Sequence, residues 1–259
     1  MAVDAQGRIL VAGSMVLIST GASIGFVTRI LPDGWIDPVF GINGFYLEFG
    51  METGVTAVGV DPSGRIWLLG RLLADGTGWW IFQLLDTGGN PTDNRALTFP
   101  GYGFETTIPT AMAFQPDGNV LLGGWGKTGS PDFLASMAVA RILGSTLNLD
   151  PTFGGSGTGE LVITDFAPAY LRSIALQPDR SIVVAGEYGL LNEENIVVTR
   201  LSPDGTLAGA FTEYVAFDIG GSGGDGGGAG IDVEFFVNVI YMFTNRFLAD
   251  EKFSSNFFI

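Results

Sequence analysis

The sequence predicts an all-β fold: a five-bladed β-propeller with four-stranded blades and an incomplete, three-stranded last blade. Three observations predict it. One pattern recurs every 54–62 residues along the 259-residue chain. Each copy holds several short apolar runs, and turns bearing Pro, Asp and Gly separate those runs.

The repeat is clearest in four gap-free segments, Val3–Gly13, Val60–Gly70, Phe114–Gly124 and Leu176–Gly186. Their turn positions fall at Gly7, Gly64, Gly118 and Arg180, spaced by 57, 54 and 62 residues. A worn fifth copy, Val233–Phe243, places its turn at Val237, 57 residues further on. A second segment follows each of the first four: Phe26–Gly34, Ile81–Gly88, Ala138–Gly144 and Ile196–Gly205. Twice it continues into Asp-Pro-x-Phe-Gly, at Asp37–Gly41 and Asp150–Gly154.

Each unit reads as four strands. In the second unit, strand a is Thr56–Val60, with apolar residues close enough for burial on both faces. A Pro-Ser-Gly turn leads to strand b, Arg65–Leu69, rich in β-branched and aromatic residues. Strand c is Trp80–Leu85. The outer strand d is clearest as Phe45–Phe49 and Glu160–Thr164, where polarity alternates with period two. Pro fixes φ in the recurring turn, Asp caps it, and Gly takes the positive φ. A β-helix has much shorter coils, and two tandem sandwiches do not explain five copies of one pattern. The chain is therefore expected to be a single domain over 1–259, with blades near 1–50, 51–104, 105–166, 167–220 and 221–259. The last would lack its strand d, leaving an open edge where another strand could pair.

The segments Gln-Pro-Asp-Gly-Asn-Val-Leu-Leu-Gly-Gly and Val-Thr-Arg-Ile-Leu-Pro-Asp-Gly-Trp-Ile-Asp-Pro-Val-Phe-Gly resemble the delta-60 repeat of bacterial proteins, and more loosely the NHL-type propeller repeats. The resemblance covers nearly the whole chain and fades in the last unit. It implies a β-propeller of a secreted or cell-surface bacterial protein, and it implies no catalytic residue.

Composition narrows the chemistry. The chain has no Cys and no His, so thiol nucleophiles, disulfides, Cys/His zinc sites and imidazole bases are excluded. With 27 acids against 12 bases, the formal charge of −15 opposes binding to phosphate backbones and anionic membranes. No apolar run approaches the ~20 residues of a membrane-spanning helix. Met1 leads straight into a strand-like segment, so the chain is expected to begin inside the fold, without a signal peptide.

Recurrence separates framework from candidate site. Arg29, Arg141 and Arg200 share one position of strand c and are expected to bind turn carboxylates or carbonyls. The turn acids Asp33, Asp117, Asp179 and Asp204 belong with them. Trp35 and Trp67 are assigned to framework strands. The b–c and d–a connections share the other face. The b–c ones are expected to be long and irregular: Ser14–Gly25, Arg71–Gly78, Trp125–Ser136, Glu187–Glu194 and Asn245–Ser255. The d–a connections carry Glu52, Glu105, Asp165 and Asp218, with Asp225 in a Gly-rich stretch. Converging acids of this kind suit Ca²⁺, and a pair of them is the equipment of glycoside hydrolysis; dispersal on solvated loops fits as well. Trp79, Trp80, Trp125, Tyr102, Tyr170 and Tyr188 fall on or beside the same face, where core packing and ring stacking on a sugar both fit. The candidate ligand-binding set is Glu52, Glu105, Asp165, Asp218, Trp79, Tyr102, Trp125 and Tyr188. The expected ligand is a carbohydrate or a protein, with Ca²⁺ as the one cofactor the acids could hold. A glycoside hydrolase or lyase, and a structural domain of a larger surface protein, are the alternatives.

Overall fold

A computed structural model describes residues 1–207 apart from 17, 19–20, 22, 49–53, 75–76, 100–101, 130–133, 166–167 and 190–194. The last strand of the fourth unit, the fifth unit and its open edge lie outside the described residues.

Among the described residues, fifteen strands form four antiparallel sheets. The first contains β1 (Ala2–Val3), β2 (Ile9–Val16), β3 (Ser23–Ile30) and β4 (Phe45–Glu48) in chain order. The second contains β5 (Val55–Val60), β6 (Ile66–Ala74), β7 (Thr77–Leu85) and β8 (Pro91–Leu97). The third contains β9 (Phe104–Phe114), β10 (Val120–Thr128), β11 (Ala135–Ile142) and β12 (Glu160–Ile163). In the fourth, β13 (Ala169–Leu176), β14 (Ile182–Tyr188) and β15 (Asn195–Leu201) are described. The first strands β1, β5, β9 and β13 contact one another in succession, so the sheets converge along these strands.

Apolar layers join each sheet to the next. Leu10, Val27 and Phe40 of the first sheet meet Val58, Ile66 and Leu68 of the second. Trp67, Trp80 and Phe82 meet Leu122, Ala138 and Ala140 of the third. Leu121, Met137 and Val139 meet Leu171, Ile182 and Val184 of the fourth. Strand residues facing neighbours on both sides explain why β11 is buried along its whole length.

The recurring turns have the backbone that their residues require. Gly7, Gly64 and Gly118 take φ of 75°, 85° and 87°, and Arg180 takes 68° at the equivalent position. Asp33, Asp117, Asp179 and Asp204 each accept the N–H two residues on, capping their turns.

The strand-c arginines are framework. Arg29 Nε donates to Asp37 Oδ2 at 2.8 Å, and Arg141 Nε donates to Asp150 Oδ2 at 2.7 Å. Both pairs are buried. Burial opposes ionisation of Asp37, but hydrogen bonds from Arg29 and the Val39 N–H outweigh it and hold the carboxyl below its ordinary range. Burial likewise opposes ionisation of Asp150, and Thr152 and Arg141 overcome it. Arg200 pairs with Asp179 instead, at a more exposed site.

Two expectations are corrected. Trp35 is no framework strand residue: it lies in the β3–β4 turn with 76% of its surface exposed, because β3 ends at Ile30 and the Leu31–Gly34 turn, closed by the Gly34 N–H on Leu31 O, comes before it. Trp67, by contrast, is fully buried, and its indole N–H donates to Asp61 Oδ2 at 2.9 Å. The Arg71–Gly78 segment is not an irregular loop. β6 and β7 extend into it as far as Ala74 and Thr77, pairing Arg71 with Trp80, Leu72 with Trp79 and Ala74 with Thr77.

Breaking a buried ion pair costs about 3–5 kcal/mol, whereas exposed pairs contribute about 0–1 kcal/mol. Urea unfolding of Arg141→Ala should therefore show a loss of about 3–5 kcal/mol, and Arg200→Ala a loss of about 1 kcal/mol or less. Equal losses would contradict the burial argument. Arg180→Gly should gain about 0.5–1 kcal/mol in the same assay, since relief of a left-handed side chain exceeds the added chain entropy.

Candidate functional site

Of the proposed acids, Glu52 and Asp218 lie outside the described residues, as does Asp225. Glu105 is exposed near the start of β9, in a strand and not in a connection. It falls where the β9–β10 register shifts between Lys127 and Thr128, and its carboxylate lies over Gly129. Asp165 is exposed in the turn after β12. Among the described residues no hydrogen bond links Glu105 to Asp165, and no group of three acids could hold a metal ion.

The aromatic residues separate into two groups. Trp80 is core, fully buried with its ring 4.6 Å from Phe99. Tyr102 stacks on Phe104 at 6.0 Å in the same layer between the second and third sheets. Trp79 is half-buried on the opposite face of β7. A second group gathers between the third and fourth sheets. Trp125 meets Tyr170 edge to face at 5.0 Å, and Tyr188 packs on the apolar layer beneath. The Trp125 indole N–H is buried and has no hydrogen-bond partner among the described residues.

A charged pair adjoins this group. Tyr170 is register-paired with Glu187, whose carboxylate takes both Nε and Nη2 of Arg172 at 3.1 and 3.0 Å. Arg172 and Glu187 were not among the candidates. Arg172 is the extra residue of a β-bulge in the first strand of its sheet, between Leu171 and Ser173. Thr56 and Thr110 are the extra residues of equivalent bulges in β5 and β9. The three positions are spaced by 54 and 62 residues, the repeat's own intervals, so the alignment held the signal: two threonines and then an exposed arginine. A bulge re-aims the side chain it carries. At the third such position the chain offers a cation, a carboxylate and two rings together.

Glu160 is a further departure. It is 1% exposed at the start of β12, and neither carboxyl oxygen has a hydrogen-bond partner among the described residues. Burial pushes this carboxyl up to about 7. Tyr102 titrates higher than usual, first through its own burial and then through the negative charge of Glu160.

Set beside known proteins, residues 177–207 match the family model described as "Domain of unknown function (DUF5122) beta-propeller". With the four antiparallel sheets, this identifies a β-propeller fold. No curated protein matches the chain. Among solved structures, a protein of unknown function from Dyadobacter fermentans is 14% identical with a TM-score of 0.44, over 74% of this chain and 50% of its own. A mannose phosphorylase from Leishmania mexicana is 12% identical with a TM-score of 0.48, over 80% and 69%. A xylan β-1,4-xylosidase from Bacillus halodurans is 13% identical with a TM-score of 0.43, over 79% and 39%. The chain thus spans half or less of the length of two of these three.

Glu160 gives a pH prediction with a definite sign. Its folded value lies above the ordinary glutamate range, so its contribution is fully favourable below about pH 4 and is lost as pH rises through about 7. Unfolding free energy should fall by on the order of 1–3 kcal/mol between pH 5 and pH 8, and Glu160→Gln should flatten that slope. A wild type whose urea midpoint does not move over this window would show that the carboxylate is solvated.

Proposed function

We propose that the chain is a non-enzymatic recognition propeller of a secreted or cell-surface protein, and that it takes a carbohydrate where the third and fourth sheets meet. One observation supports this above others: the Trp125–Tyr170 pair beside the exposed Arg172–Glu187 pair. Rings held by a rigid scaffold offer their faces to the C–H surface of a sugar, while flanking carboxylate and guanidinium groups bond its hydroxyls. Glu105, Asp165, Trp79, Tyr102 and Tyr188 would be the outer part of the same face, and Ca²⁺ on its acids belongs to this proposal.

A glycan array and a calcium titration test it. Wild-type protein should bind a defined set of glycans, and Trp125→Ala should weaken that binding by on the order of 2 kcal/mol or more. Glu187→Gln should weaken it less. Glu105→Gln with Asp165→Asn should alter it only if the outer acids reach the ligand. Binding that survives Trp125→Ala and Glu187→Gln, with melting temperatures unchanged, would remove the site from this face. Cleavage of an arrayed glycan, abolished by Glu105→Gln, would make the protein a glycoside hydrolase instead.

A further inference from the structure

The opposite face carries a second feature that folding does not require. The turn between β3 and β4 exposes Trp35 by 76%, Val39 by 76%, Ile42 by 81% and Ile36 by 47%. Its counterpart between β11 and β12 is an internal control. Both turns are held by a buried Arg–Asp pair, Arg29–Asp37 and Arg141–Asp150. Both set that arginine over a fully buried ring, Phe40 or Phe153. Both are closed by equivalent bridges, Ile30 to Ile36 and Ile142 to Leu149, and both turn at a positive-φ glycine, Gly41 or Gly154.

At the exposed positions the two copies diverge. Trp35, Val39 and Ile42 correspond to Asn148, Thr152 and Gly155, which are exposed as well. Thr152 also accepts from Arg141 Nη2 at 3.0 Å and caps Asp150, a bond that Val39 gives up. The fourth sheet closes its turn by the Leu201–Leu207 bridge and has Thr206 where the first has Trp35. Polar residues therefore suffice for this geometry. The apolar set of the first sheet covers on the order of several hundred Å², the size of patch that commonly marks an interaction surface.

The surroundings select the partner. Asp33 is exposed at the patch edge and accepts the Trp35 N–H at 3.2 Å. The Gly41 N–H donates to Gly88 O and brings in the neighbouring turn with Asp86, whose carboxyl is held below its ordinary range by hydrogen bonds from Asn90. Two copies meeting patch to patch would press these acids together on chains that each carry −15. A cation, by contrast, pairs with Asp33 and stacks on the Trp35 ring. We infer that the patch of Trp35, Ile36, Val39 and Ile42 docks a basic protein segment, an apolar anchor residue flanked by Lys or Arg. This proposal uses a different face from the carbohydrate site and stands or falls without it.

The test uses the full chain and a displayed library of random 16-residue peptides. Enriched peptides should carry a net positive charge and an aromatic or aliphatic anchor. Resynthesised with a fluorophore, they should lose at least tenfold in affinity for W35N/V39T/I42T, two of whose substitutions are the third sheet's own residues. Asp33→Asn keeps the acceptor for the Trp35 N–H and removes the charge; it should lose about threefold or more, and raising the salt should erase that difference. Because Asp33 is exposed, this second variant decides the matter even if the triple variant unfolds. Enrichment of acidic peptides, no enrichment, or unchanged binding by a folded triple variant would overturn the proposal. So would a wild-type dimer in sedimentation velocity that the triple variant abolishes, since a second copy would then be the occupant.

Discussion

One interaction holds the successive sheets in register: an arginine that pairs with an aspartate of its own sheet and donates to a carbonyl in the next. Arg29 donates to Thr87 O across the first seam, and Arg141 donates to Pro203 O at 2.6 Å across the third. The second seam lacks a strand-c arginine, since Leu84 stands there. Arg65, in the turn before β6, performs the same task, pairing with Asp61 at 2.7 Å and donating to Gly144 O at 2.9 Å. In each case the guanidinium also lies over a ring, Phe40, Trp67 or Phe153. A buried guanidinium has five donors to satisfy. For Arg29 and Arg141, satisfying them from two sheets at once makes desolvation conditional on correct docking of the neighbour, while the part-exposed Arg65 makes the same two bonds. Apolar layers alone would tolerate sliding; this pairing does not.

The part of this design that recurs was legible in the sequence. Repeating Pro-Asp-Gly turns and strand pairs gave the sheets, and the recurrence of Arg29, Arg141 and Arg200 marked them as framework. What did not recur was lost. Arg65 resembles Arg8, which stays within its own turn with Asp4, and nothing in one dimension distinguishes a local pair from one that reaches another sheet. Trp-Ile after Pro-Asp-Gly follows the strand pattern, but the buried Asp37 beyond it is held by a partner eight residues away, and that long-range bond keeps the segment in the turn. The Arg71–Gly78 hairpin was hidden by charge and glycine within it, although Asp75-Gly76 is itself a hairpin signal.

The candidate site was legible in kind and not in place. Rings beside carboxylates were expected on the face where Trp125 and Tyr170 meet. Their contact, however, joins strands 45 residues apart, and Arg172 reaches Glu187 only because a bulge re-aims it. Contacts between sheets depend on three-dimensional packing that periodicity within one sheet does not encode. The acids expected to converge illustrate the converse. Glu105 and Asp165 were grouped by topology, yet strand extension set Glu105 against Gly129.

Charge connects the framework to the two surfaces. Among the described residues, Arg8, Arg29, Arg65, Arg95, Arg141, Arg172 and Arg200 form ion pairs with the chain's own carboxylates. The positive charge of these seven is thus neutralised locally, and its short-range field is cancelled. The surplus of acids has no such compensation, so the field beyond the surface is negative. That field repels another copy and any polyanion, is indifferent to a neutral sugar, and attracts a basic segment. The neutral ligand proposed for one face and the cationic one proposed for the other both avoid opposing this charge. The arginines that align the sheets are thus engaged in internal pairs, and the charge left facing any partner is the negative excess of acids.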